Sequence, residues 1–387
     1  MLGRSRRFPY STAAAVALTL IALTVGPAMA GGITQVNLVS NTPDVAVRTL
    51  PLLVNAWGMT FNGTGEVFWV NDNGAGVASL FDRLGVPQSL VITIPPPDGE
   101  AGPSAPTGIV FNSTDDFVLT EGEVSRPARL LFDTEDGTIS GWHPAIDLTN
   151  AVLLVDRSAT GAVYKGLAMA ETDLGERFLY ATNFHSGYIE KFDADFNLVD
   201  EFTAADIPAG FAPFGIRSID GHLFVTYAKQ QLPDRKEDQP GLGNGYIVIF
   251  DLDGSVISLF AANGKLNSPW GMVVAPDGFG SFSRALLVGN TGDGHISAFD
   301  LATGRFLGQL LNRVGRALEI DGIWGLERSP VPTNGIRLLY FSAGPNGGSD
   351  GLIGTLHTTQ TQGFQRRHFG ALQERPSDGH DPGRAHH

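Results

Sequence analysis

The sequence predicts an all-β fold, a six-bladed propeller, and three observations carry that prediction. One motif recurs six times, tight glycine turns separate short apolar runs, and a spare strand precedes the first repeat. Each repeat opens with a lead residue followed by glycine and an apolar strand. A second strand ending in polar residues, a glycine turn and a third strand follow, the last often closing on Phe-Asp. The lead residues are Trp57, Thr107, Lys165, Phe214, Trp270 and Trp324. Their spacing of roughly 50 residues suits four-stranded blades with generous loops. No segment sustains a 3.6-residue apolar period, which argues against helical solenoids.

The blades follow in order. "AWGMTF…VFWVNDNGAGVASLFD" runs from Ala56 to Asp82, and "PTGIVF…RLLFDTEDGTISGW" from Pro106 to Trp142. The third, "YKGLAM…FLYATNFHSGYIEKFD", spans Tyr164 to Asp193, and the fourth, "PFGIRS…LFVTYAKQ…NGYIVIFD", spans Pro213 to Asp251. "PWGMVV…ALLVGNTGDGHISAFD" covers Pro269 to Asp300, and "IWGLER…LLYFSAGPNGGSDGLIGTL" covers Ile323 to Leu356. The glycine after each lead residue fits the crowding of inner strands around an axis, where a side chain would clash. The sixth repeat supplies only three strands. "ITQVNLVS", Ile33 to Ser40, is expected to complete it as the outer strand and so leave no long open edge.

Composition agrees. The 387 residues include 49 Gly, 23 Pro and only 17% charged residues, as short strands joined by turns require. A net charge of -14 argues against nucleic acid and anionic membranes as partners. Residues 1–30 read as a signal peptide: Arg4, Arg6 and Arg7, an apolar run, then Ala28-Met29-Ala30. Export to the periplasm or beyond is the expected location, with no membrane span after cleavage. Without cysteines, the exported chain depends on its packed core, and thiolate metal sites are excluded. The propeller is assigned to 33–356, and residues 357–387 read as a polar, disordered tail.

In an antiparallel meander, the start of the inner strand and the loop between second and third strands share one face. The lead residues should therefore meet Asp72, Asn183, Asn290, Asp293 and their neighbours at one mouth of the channel. Two readings of the aromatics stay open: a plug that closes the mouth, or a pocket rim with Lys165 inside it. Flat aromatic faces suit sugar rings and cations. A lysine at so crowded a ring must find a counter-charge or open water. "LPDRKEDQPG" reads as a charged surface loop.

The blocks "NAWGM", "VNDNGAG", "LYATN…SGYIEKFD", "NFHSG" and "NSPWGM" resemble the repeats of NHL-type propellers and, more distantly, of regucalcin-like gluconolactonases. The run from Thr34 to Leu356 also resembles a family of secreted bacterial propellers often found with PEP-CTERM sorting systems. The resemblance implies secretion and a propeller, and brings no established activity. Gluconolactonases hold a divalent cation with oxygen ligands at the lead positions. Here five of six lead residues offer no oxygen ligand, so no metal or other cofactor is expected there. A different cation site built from Asp72, Asn183, Asn290 and Asp293 is the alternative. His185 is the acid/base candidate, oriented by Asp293 or Asp72, since streptogramin-lyase-type propellers use a mouth histidine.

The leading expectation is a non-enzymatic binding protein. Its ligand is small and polar, a sugar for example, and its site comprises Trp57, Lys165, Phe214, Trp270, Trp324, Asp72, Asn183, Asn290 and Asp293. A hydrolase or lyase using His185 with Lys165 or Asp293 is the alternative, as is a scaffold for envelope or matrix assembly.

Overall fold

The structure is a computed structural model that describes residues 32–332 and 338–358. The signal-peptide assignment and the tail beyond Thr358 lie outside the described residues. Six sheets form the ring, one per blade. The first five have inner strands Ala56–Phe61, Pro106–Phe111, Tyr164–Glu171, Phe211–Ile219 and Pro269–Val274, each followed outward by three antiparallel strands. In the second blade an extra hairpin, Val118–Glu121 with Val124–Pro127, is inserted between the first and second strands.

The sixth blade closes the ring as expected. Its own strands are Ile323–Arg328, Leu339–Ala343 and Leu352–His357, and Thr34–Ser40 pairs antiparallel with the last of them. That last strand ends at His357 rather than Leu356. A short segment, Arg48–Thr49, then pairs in parallel with Val39 and Ser40 and covers part of the outer edge.

The middle strands are buried on both faces, which explains their unbroken apolar runs, whereas outer strands such as Leu198–Phe202 are largely exposed. Six apolar clusters account for the core between neighbouring blades. The cluster of Trp69, Ile92, Ile109 and Phe132, for example, joins the first blade to the second. Leu287, Leu318, Leu339 and Phe341 join the fifth to the sixth.

Every inner strand is irregular at the same place. The pairing register with the second strand slips across the lead residue and its glycine in all six blades. The bulge turns the lead carbonyl toward the preceding blade, and the glycine there admits it. A Cβ on Gly215 would lie 2.2 Å from the carbonyl oxygen of Trp270, and one on Gly271 2.2 Å from that of Trp324. These glycines serve close approach of backbones. Side chains of the second strands fasten the bulges. The amides of Gly108, Gly215 and Gly325 donate to Asp133, Thr226 and Ser342. Asn71, Thr182 and Ser342 donate to the lead carbonyls of Thr107, Phe214 and Trp57 in the following blade.

Candidate functional site

The six lead residues do converge, and the aromatic ones form a plug. Trp57 stacks on Trp324 with centroids 3.6 Å apart and planes inclined by 18°. Trp270 meets both edge-on, at 5.7 Å and 5.8 Å, and Phe214 lies 6.1 Å from Trp324. Phe184, from a loop of the third blade, completes the cluster against Phe214. Trp57, Phe214 and Trp270 are buried, and Trp324 keeps partial exposure. The edge-on contacts are arrangements that the ring quadrupoles favour, whereas the Trp57–Trp324 pair is stacked face to face. The faces expected to greet a ligand are thus mostly occupied by one another.

Thr107, the one small lead residue, is buried and donates to the carbonyl of Tyr164 and the carboxylate of Asp133. Burial pushes the Asp133 carboxyl up to about 7, against the hydrogen bonds from Thr107 and Gly108 that lower it.

Lys165 finds its counter-charges. Its ammonium is buried against Glu135 and lies 3.5 Å from Glu237, with the Trp57 ring centroid 5.3 Å away. Burial alone would depress this lysine, but the carboxylates of Glu135 and Glu237 outweigh it and hold it above the usual lysine value. Glu237 comes from the charged surface loop, which is exposed and also folds back over the mouth. There Asp238 is raised by burial and relieved by Ser268 and Lys165.

A hydrogen-bond chain runs around the rim from this lysine. Glu135 accepts from Asn73 at 3.0 Å, Asn73 from Asn55 at 3.0 Å, and Asn55 from the Trp324 indole at 3.2 Å. The Trp270 indole closes the other side by donating to the Lys165 carbonyl at 2.7 Å. The Trp57 indole N–H is buried without a hydrogen-bond partner.

Of the remaining candidates, Asp72, Asn183 and Asn290 pair with Ala56, Tyr164 and Pro269, directly before the lead residues, but their side chains are committed elsewhere. Asp72, Asn183 and Asn290 occupy equivalent turn positions and face inward within their own blades. Asp72 accepts from Ser79, Asn183 donates to Glu190 at 2.7 Å, and Asn290 donates to Ser297 at 3.1 Å. Each tie spans seven residues of one hairpin, and Asp72 is raised well above the usual carboxylate range by burial. Asp293 accepts from Asn267 and lies 3.2 Å from His295. The alternative cation site therefore has its ligands spent in three separate blades, and no cluster of three His, Asp or Glu groups suited to a metal occurs among the described residues.

His185 contacts the backbone carbonyl of Asp234 at 3.1 Å. No described hydrogen bond or ion pair joins it to Lys165, Asp72 or Asp293, because those groups are committed elsewhere. Sequence reasoning missed Asn55 and Glu237. Asn55 could have been suspected from its place directly before the first "AWG", whereas Glu237 is 72 residues from Lys165 and carries no local signal.

Two uncharacterised proteins of Acanthamoeba polyphaga mimivirus are similar to this chain over most of their lengths. One is 35% identical over 342 residues, spanning 86% of this chain and 87% of the relative. The other is 34% identical over 340 residues, spanning 86% and 82%. The chain belongs to their family. No family model matches it. Among solved structures, streptogramin B lyase superimposes with a TM-score of 0.50 at 14% identity, covering 86% of this chain and 99% of the lyase. At that identity the shared property is the propeller fold alone. Among the described residues, no helix is long and apolar enough to cross a membrane.

Proposed function

We propose that the protein is an exported, non-enzymatic propeller that recognises a small polar ligand, a sugar or similar polyol, at the plugged mouth. Membership of a secreted, PEP-CTERM-associated group belongs to the same reading. The observation that supports it most is the rim chain of Asn55, Asn73, Glu135 and Lys165 beside the partly exposed Trp324. Carboxylates and amides offer directional partners to hydroxyl groups, and an indole edge beside them offers an apolar ring face. Glu237 is 65% exposed and free to exchange Lys165 for a ligand. Acid/base chemistry receives less support, since among the described residues the hydrogen-bond contact of His185 is with the backbone carbonyl of Asp234.

The experiment is a titration of tryptophan fluorescence with a panel of mono- and oligosaccharides, repeated with Trp324→Ala and Glu135→Gln. A saturable change that both variants weaken about tenfold is expected, the scale of a charged hydrogen bond. An unchanged spectrum with every sugar would remove the proposal.

A further inference from the structure

The same channel opens differently at its other end. Past the plug, a chamber of about 70 Å³ is lined by the six inner glycines, with Trp270 and Arg217. It adjoins a cavity of about 220 Å³ whose lining includes Met59, Ile109, Leu167, Met169, Arg217 and Glu327; the first three and Arg217 border both spaces. The inner strands lead away from the plug, so this cavity faces the opposite side of the ring from the rim chain.

Arg217 and Glu327 are the charged groups that line it. One guanidinium nitrogen donates to both carboxylate oxygens at 2.8 Å, and another reaches the Leu326 carbonyl at 3.3 Å. Glu327 also accepts from the Arg328 amide. A guanidinium carries five donors and a carboxylate about four acceptor positions, so each partner keeps capacity for a ligand. Both side chains stay partly accessible, 34% for Arg217 and 14% for Glu327.

We propose that this cavity binds a small zwitterion, an α-amino acid with an apolar side chain. The ligand carboxylate meets Arg217, its ammonium meets Glu327, and its hydrocarbon lies against Met59, Ile109, Leu167 and Met169. Three features select this class. The lining charges are one of each sign and adjacent, so a ligand of either single charge leaves one group unmatched. Most of the remaining lining is apolar, with Thr60 and Ser218 the hydroxyl-bearing exceptions. The volume is below the roughly 300 Å³ at which sites for drug-sized ligands begin, and suits a molecule of amino-acid size. This site is separate from the plugged mouth and stands without it.

The chain carries its own reporters. Of its five methionines, Met59, Met169 and Met272 lie in the propeller, and all three line the channel. With methyl-¹³C methionine incorporated, L-leucine is titrated against the full chain and the methyl resonances are followed. Saturable shifts of Met59 and Met169 are expected. 4-Methylpentanoate and isopentylamine, which lack one charge each, should bind about tenfold more weakly or worse. Arg217→Ala and Glu327→Gln should abolish the shifts while circular dichroism and the unfolding midpoint report intact folding. If either variant fails to fold, Met169→Trp, which fills the cavity from a partly exposed position, replaces it with Met59 as reporter. Flat spectra with leucine, equal responses to the single-charge analogues, or shifts that survive these substitutions would each overturn the proposal.

Discussion

The two mouths of the channel are built by the same six strands and differ in what fills them. At the lead positions four aromatics, a lysine and a threonine close the bore, and all but Trp324 are buried. Two residues beyond each glycine stand Thr60, Val110, Ala168, Arg217, Val273 and Glu327, and there a cavity of about 220 Å³ remains. The number of blades sets the bore, and side-chain volume decides whether it is sealed. The sealed end contributes to stability through packing and leaves a ligand only its polar rim, whereas the open end keeps a cavity beside an ion pair.

That contrast predicts large stability effects at the plug and small ones opposite. Trp57→Ala should cost most, about 3–5 kcal/mol, because it removes a buried indole stacked on Trp324. Denaturant titration would measure it, and a loss below about 1 kcal/mol would mean that the plug contributes little. Gly271→Ala comes next, at about 2–3 kcal/mol, since its new methyl would lie 2.2 Å from a backbone oxygen that cannot rotate away.

Lys165→Met should cost about 2 kcal/mol by stranding Glu135, discounted because that carboxylate is 21% exposed. Lys165→Met combined with Glu135→Gln should recover part of the loss; a purely additive double variant would rule out their coupling.

Asp133 gives a pH signature. Its native value of about 7 lies above that of the unfolded chain, so its contribution is fully present below about pH 4 and is lost as pH rises through 7. Relative to Asp133→Asn, the wild-type chain should lose about 4 kcal/mol across that window, as followed by thermal unfolding. A constant difference between the two would contradict the raised value. The smallest effect belongs to the far end. Arg217→Ala should cost less than about 1 kcal/mol, because the pair with Glu327 is partly solvated. A loss as large as that of Trp57→Ala would make the pair a structural strut and erase the contrast.

The fold was legible because it is written in repetition. A period near 50 with a glycine at each lead position shows up in any self-comparison, and a three-stranded last repeat calls for an outside strand. The mouth was legible in part. Its lead residues were placed on one face correctly, and Lys165 was expected to need a counter-charge. Asp72, Asn183 and Asn290 stand beside the lead residues as expected, but their side chains are tied within their own blades, because turn-stabilising and ligand-binding residues have the same chemistry. Their polar partners seven positions on, Ser79, Glu190 and Ser297, were the available signal.

What the amino-acid sequence determined by itself is therefore local and periodic: six blades, the closing strand, and the glycines that let inner strands crowd. Those follow from chain connectivity and from the space a Cβ needs. The tertiary structure alone decided that the tryptophans face one another, that Glu237 returns to Lys165, and that Arg217 meets Glu327 110 residues away. Ring orientation and ion pairing depend on distances across the channel, which exist only once all six blades have closed.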